Sequence, residues 1–220
     1  MITLPDFTKA FEHENSFYLS CGNTRLGKFI AHYELFTMAK DLPGAFVECG
    51  VFKGASFVRF AGFRSLFSSS SSHPLIGFDT FGVFPETNYE EDKERREGFI
   101  QAAGEHSISK AQLLDVLRRK GINDCVELIE GDIVQSVPAY IQKHPDLKIS
   151  LLNLDTDIYE PAVTILECLW PRIVRGGVLI LDDYGVFPGE TKAVDEYFRG
   201  NAVRIQQFPF SPTPRYIIKG

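Results

Sequence analysis

Little in this sequence points toward a membrane, a nucleic acid or a soft-metal centre. No apolar run approaches the roughly 20 residues that a helical bilayer span needs. Cationic excess is missing too: 29 acids against 23 Lys and Arg leave a formal net charge of −6. That is the wrong sign for a nucleic acid or an anionic membrane as main partner. Cys21, Cys49, Cys125 and Cys168 share no CxxC spacing, and the five histidines form no HxxxH pair. Neither a zinc site nor a disulfide framework is therefore expected. The cysteines read instead as small buried or half-buried hydrophobes. Met1–Ala10 holds no long apolar stretch of the signal-peptide kind, which makes the cytoplasm the expected compartment.

What is present is an alternation of strand and helix signals. The chain has 220 residues, of which 44% are hydrophobic, enough for one domain with a sizeable core. Short apolar runs at Ala45–Cys49, Leu75–Phe78, Val126–Ile129, Ile149–Leu154 and Val178–Leu181 suit strands buried on both faces. Helical patterns lie between them, near 54–66, 109–120, 134–144 and 159–170. Ser109 and Gln112 fit a capping box at the start of the second. Gly176-Gly177 reads as a sharp turn into the fifth strand. Five serines, Ser68–Ser72, read as a surface loop. A helix at Asp195–Phe198 is followed by Val203–Phe208 and Arg215–Ile218, which should form an antiparallel hairpin at one edge. The expected architecture is α/β, with five parallel strands plus the hairpin, seven strands in all. Residues 1–44, with a helical pattern near 25–40, form an N-terminal helical cap on that single domain.

Acids at the carboxyl ends of these strands carry the candidate chemistry. In open α/β sheets ligands bind beyond those ends, and glycine lets backbone approach the ligand. Val47-Glu48-Cys49-Gly50-Val51-Phe52-Lys53-Gly54-Ala55-Ser56 is such a strand–helix turn. Its ExGxxxG pattern suits a cationic ligand better than the pyrophosphate that GxGxxG would cradle. Asp79, closing the second strand, is placed to accept from a ribose diol. Asp132, in Glu130-Gly131-Asp132-Ile133, is placed to face an adenine amino group. Asp155 and Asp157 follow the fourth strand, and Asp182-Asp183 the fifth. If those strands are neighbours, at least three carboxylates converge. Two like charges about 4 Å apart repel by about 4 kcal/mol at an effective dielectric near 20. Such a cluster must hold a proton or bind a cation, and an all-oxygen set favours magnesium, manganese or calcium.

These blocks, in this order, resemble the macrocin O-methyltransferase-like (TylF-type) enzymes, metal-dependent sugar O-methyltransferases of antibiotic biosynthesis. The likeness runs over roughly residues 20–200. It is carried by Val47–Gly54, Phe78-Asp79-Thr80-Phe81, Leu154-Asp155-Thr156-Asp157-Ile158-Tyr159-Glu160, and Gly176-Gly177 through Leu181-Asp182-Asp183-Tyr184-Gly185. The resemblance implies a Rossmann-like class I methyltransferase fold. It makes Asp155, Asp182 and Asp183 the ligands of magnesium or manganese, with Asp155 also the general base. Glu48, Gly50, Phe52 and Ser56, with Asp79, Thr80 and Phe81, would hold the methionine and ribose parts of S-adenosylmethionine, and Asp132 and Ile133 the adenine. The acceptor it implies is a sugar or polyol hydroxyl. Phe52-Lys53 and Gly54-Ala55 stand where the family usually has Trp-Arg and a pair of glycines.

Two other readings stay open. Asp155-Thr156-Asp157 mimics the DxD site of a metal-dependent glycosyltransferase, though that explains neither Glu48-Cys49-Gly50 nor Asp182-Asp183. A non-catalytic cofactor-binding module is the other. Within 82–107, the run Glu90–Arg96 is too polar for core, and the flanks with Phe84 and Phe99 are expected to form a lid over the acceptor. Phe7, Phe11, Phe17 and Tyr18 offer a surface for another subunit, and a homo-oligomer is expected.

Overall fold

The computed structural model describes residues 2–68, 73–122 and 124–220, so all of the serine run but Ser68 lies outside the described residues. The elements run α1 Ala10–Ser20, α2 Asn23–Ala39, β1 Ala45–Cys49, α3 Ala55–Phe67, β2 Leu75–Asp79, α4 Glu90–Ala103, α5 Lys110–Arg119 and β3 Val126–Glu130. They continue with α6 Ile133–Lys143, β4 Ile149–Leu154, α7 Tyr159–Leu169, β5 Ile173–Leu181, α8 Pro188–Tyr197, β6 Gln206–Gln207 and β7 Arg215–Ile218. The sheet order is β3-β2-β1-β4-β5-β7-β6. The first five strands are parallel, β7 is antiparallel to β5, and β6 pairs antiparallel with β7. This is the expected mostly parallel seven-stranded sheet of the Rossmann-like class. No helix among the described residues is long and apolar enough to cross a membrane.

Alternation along the strands divides the core in two. Ala45, Val47 and Cys49 of β1 join Val137, Ile165 and Val194 from α6, α7 and α8 on one face. Phe46 joins Leu35, Phe60 and Leu113 from α2, α3 and α5 on the other. The polar residue Glu48 shares the Phe46 side by the same period of two. Burying a Leu or Phe side chain contributes roughly 1.5–3 kcal/mol, so these two clusters hold the three layers together.

Several expectations move. Gly176 and Gly177 lie inside β5, where the register jumps from Ile149↔Ile173 to Leu151↔Val178. Gly176 has φ +79°, and a Cβ on Gly177 would sit 2.9 Å from the Val174 carbonyl oxygen. They make a bulge within the strand, not a turn before it. The helix expected at Asp195–Phe198 begins at Pro188, whose fixed φ suits a first helical position. The edge strand shrinks from Val203–Phe208 to Gln206–Gln207, opposite Tyr216 and Arg215. Cys125 is exposed at φ +53°, not half-buried. The capping box is present, with Ser109 Oγ accepting from Gln112 N and Gln112 Oε1 from Ser109 N.

The N-terminal helices behave differently from each other. In α2, Ala31, Leu35, Phe36 and Ala39 are fully buried and pack toward the sheet. No residue of α1 is buried, and Phe11, Tyr18 and Leu19 are left largely open.

Residues 82–107 contain α4, and one of its acids is not solvated at all. Asp92 is fully buried, its Oδ1 accepting from Gly189 N at 2.7 Å and its Oδ2 from Tyr159 N at 2.9 Å. Those amides open α8 and α7, so a single carboxylate caps two helices. Glu160 ties the same segment down by accepting from Asn88 N and Thr87 Oγ1.

Candidate active site

The strand order reverses between β1 and β4, and a cavity of about 1040 Å³ opens there at the carboxyl ends. The Gly50–Gly54 loop forms one wall. A Cβ on Gly50 would lie 1.6 Å from the Asp155 carbonyl oxygen, so the loop leaving β1 and the one leaving β4 touch through bare backbone. Phe52 is held at φ +46°, a conformation costly for a bulky residue.

Asp79 stabilises that conformation. Its Oδ2 accepts from Phe52 N at 2.9 Å and its Oδ1 from Phe81 N at 2.6 Å, and Phe81 too has positive φ, +48°. A carboxylate has about four acceptor positions, so Asp79 keeps capacity toward the cavity it lines. Thr80 lines it as well, while the Phe81 side chain turns into the core. Gly50, Phe52 and Ser56 face the cavity. Asp132 and Ile133 do so at its far end, where Asp132 also caps α6 by accepting from Val134 N at 3.0 Å.

Glu48 lies beneath this wall and does not line the cavity. Ser56 Oγ donates to its Oε1 at 2.8 Å, and its Oε2 has no hydrogen-bond partner. Burial pushes the carboxyl up to about 8 from an ordinary 4.5, against the Ser56 hydrogen bond. A raised acid stabilises the fold fully below 4.5, and that contribution is lost as pH rises through about 8. Glu48→Gln is therefore expected to be more stable than the parent at pH 9 and nearly equal at pH 5. The shift corresponds to at most about 5 kcal/mol. Urea unfolding at the two pH values reads this out; an equal difference at both would refute it.

Across the crevice, β4 and β5 are paired neighbours with Leu154 opposite Leu181. Asp155, Asp182 and Asp183 thus meet, each offering an oxygen within 4.8 Å of the others. Burial first, and then the neighbouring acids, push Asp155 and Asp183 well above the usual carboxylate range. Asp157 and Glu190 behave alike for the same reasons. Asp182 goes the other way: burial would raise it, but Lys28 and His32 pull it below the ordinary value. The Lys28 ammonium donates to Asp182 Oδ2, while Asp182 Oδ1 is buried with no hydrogen-bond partner. An orphaned buried oxygen inside an all-carboxylate set fits a hard divalent cation.

Sequence reasoning missed the support of this cluster. Lys28 and His32 stand one turn apart on α2, with His32 Nε2 3.7 Å from Asp182 Oδ1. Arg59 Nη1 lies 2.9 Å from His32 Nδ1. Since guanidinium only donates, Nδ1 accepts and the ring proton sits on Nε2, toward Asp182. Glu190, fully buried in α8, accepts from Asp183 N at 3.0 Å and fixes that loop. The i, i+4 spacing of Lys28 and His32 was visible; that α2 crosses the ends of β4 and β5 was not.

The chain is similar to several known proteins. One protein similar to this chain is the 8-demethyl-8-(2,3-dimethoxy-alpha-L-rhamnosyl)-tetracenomycin-C 4'-O-methyltransferase of Streptomyces olivaceus. It is 28% identical over 154 residues, covering 68% of this chain and 56% of that protein. The demethyldecarbamoylnovobiocin O-methyltransferase of Streptomyces niveus is 26% identical, covering 73% of this chain and 60% of that protein. The chain thus matches little more than half the length of either. Among solved structures, the calicheamicin methyltransferase CalS11 superposes with a TM-score of 0.81 at 25% identity, over 98% of this chain and 87% of that one. The profile of the family described as Macrocin-O-methyltransferase (TylF) matches residues 13–207. With that match over most of its length and this fold, the chain belongs to the macrocin-O-methyltransferase (TylF) family.

Proposed function

We propose that the protein transfers the methyl group of S-adenosylmethionine to a hydroxyl of a sugar or polyol, with a magnesium-like ion held by Asp155, Asp182 and Asp183. The observation that carries this reading is the meeting of the Gly50–Gly54 loop and the three-carboxylate cluster on one crevice. Methyl transfer is an in-line displacement in which the cofactor supplies the leaving group, so the protein has to place an oxygen and remove its proton. A divalent cation, when bound, lowers the pKa of a hydroxyl that coordinates it. Asp155 is the base: it stands at the junction of the two loops, and a cation held by the cluster would keep its carboxylate ionised with an oxygen beside the hydroxyl to take that proton. Ser56, positioned from beneath by Glu48, serves the methionine end, Asp79 with Thr80 the ribose, and Asp132 with Ile133 the adenine; Phe81 contributes through its amide to Asp79.

The acceptor side is walled by Phe17, Phe84, Asn88 and Phe99. Phe99 packs on Phe84 and on Phe52 of the cofactor loop, at centroid distances of 5.5 and 5.2 Å. Residues 82–107 therefore act as a lid whose root is fixed by Asp92. Open apolar residues on α1 support a homo-oligomer with that helix at the contact. A relative named for methylating a rhamnosyl-bearing tetracenomycin supports a sugar hydroxyl as acceptor. A DxD glycosyltransferase would need Asp157 as a ligand, whereas the set in ligand range draws on Asp182 and Asp183 instead.

The experiment is incubation with S-adenosylmethionine, magnesium and a panel of nucleotide sugars and glycosides, read by mass spectrometry. The expected product is an acceptor heavier by one CH2 unit, formed only where adjacent hydroxyls are present. Cofactor that binds and stays intact with every acceptor would instead identify a binding module.

A further inference from the structure

Arg25, Lys28, Lys53 and Arg59 line the cavity, and among the described residues only Lys28 of these has an acid within ion-pair distance. Its ammonium donates to Asp182 Oδ2 and leaves Oδ1 of the same carboxylate without a hydrogen-bond partner. One oxygen thus takes the lysine, and the other is free for a second cation. His32, the other α2 side chain beside Asp182, accepts at Nδ1 from Arg59, so its ring is neutral and adds no charge. Arg59 meets the far nitrogen of that ring and does not reach Asp182 itself.

Packing builds the lysine into the cluster. Leu35 and Phe36 of α2 join Val178 and Ile180 of β5, the strand that leads into Asp182. Gly27 lets the helix press on the C-terminal segment, since a Cβ there would lie 2.9 Å from the Phe210 carbonyl oxygen. The Lys28 side chain is only 24% exposed. Burial would lower its ammonium, but Asp182, Asp155 and Asp183 hold it above its ordinary value, so it stays charged. Three ionised carboxylates gathered in a buried place repel one another and are costly without a cation among them. With Lys28 in contact, the three ligands and the ammonium together carry two negative charges, which a divalent ion cancels.

We propose that Lys28 is a built-in counter-ion of the Asp155, Asp182 and Asp183 cluster, holding it together before the ion enters and matching it to a divalent over a trivalent cation. This rests on the metal reading above. The test takes magnesium and terbium(III) as probes, by calorimetry and terbium luminescence, on the parent, Lys28→Met and Lys28→Arg. Lys28→Met should bind magnesium about tenfold more tightly, the order that one unit charge costs a nearby divalent ion even under aqueous screening, and should gain more for terbium. Lys28→Arg keeps the charge and should stay within about threefold of the parent for both ions. Urea unfolding gives a second readout that does not depend on turnover. In chelator Lys28→Met should be less stable than the parent, and saturating magnesium should close the gap, because the bound ion replaces the missing charge. A gap that magnesium leaves unchanged would make Lys28 merely structural and overturn the counter-ion role. Magnesium affinity equal to or below that of the parent in Lys28→Met would overturn it too, the lower value marking Lys28 as an orienting residue. A parent that binds neither ion would sink the metal reading and this proposal with it, a result distinguishable from the other two.

Discussion

Methyl transfer is expected to stop in the presence of a chelator, to return with added magnesium or manganese, and to fall by a factor of about 100 to 1000 in Asp182→Asn. Asp182 is the member of the cluster that stays ionised, held so by Lys28 and His32, and one of its oxygens is buried without a partner. Neutralising it removes one of the three carboxylates that would hold the cation, and the set in ligand range among the described residues has no fourth acid to replace it. S-adenosylhomocysteine affinity should stay within about twofold, because the residues proposed to hold the cofactor stand at the ends of β1, β2 and β3 while Asp182 follows β5. Asp155→Asn should lose more turnover than Asp182→Asn, since it removes the base as well as a ligand. Metal content and calorimetric metal binding separate the two roles. Full-rate methylation by metal-free protein in chelator would overturn the metal assignment and leave the cofactor assignment standing.

The second large effect concerns Asp79→Ala, which should weaken S-adenosylhomocysteine binding by about a hundredfold and destabilise the fold by about 2–4 kcal/mol. Beyond any contact with ribose, Asp79 accepts from the amides of Phe52 and Phe81, both held at positive φ. Removing the carboxylate leaves two donors unsatisfied and releases two strained residues at once, so the cofactor loop loses its shape. Asp79→Asn keeps one acceptor oxygen and should fall between alanine and parent in both measurements. Urea unfolding and calorimetry on the same samples decide it; unimpaired ligand binding by the alanine variant would remove Asp79 from the site.

The parallel strands and the acids at their ends were legible because both signals are local. A strand buried on both faces is a short apolar run, and the acid that ends it is the next polar residue, as at Leu154-Asp155 and Leu181-Asp182. Gly176-Gly177 was misplaced because a bulge and a turn demand the same backbone freedom, and only the pairing of Ile149 and Leu151 tells them apart. Phe81 was assigned to the cofactor, yet its part is played by an amide, which no side-chain pattern reveals. Lys28, His32, Asp92 and Glu190 went unseen for one common reason. Each is a single polar residue on a helix, and its meaning comes from the strand end or helix start that packing brings to it. A run such as Glu90–Arg96 looks uniformly solvated in sequence, although one of its seven residues is sealed from water.

Asp92 has a bearing on how acceptor range changes within such a fold. Residues 82–107 are joined by this one carboxylate to the first turns of α7 and α8, the helices that follow the loops bearing Asp155 and Asp182-Asp183. A Cβ on Gly189 would lie 1.9 Å from Asp92 Oδ2, so the joint tolerates no side chain on the receiving helix. Residues 82–107 are therefore not a freely exchangeable cassette. A transplanted segment that reshapes the acceptor wall but lacks an acid at this position also uncaps both helices and loosens Asp155 and Asp183. Under the proposed function, acceptor choice and metal-ligand geometry change together.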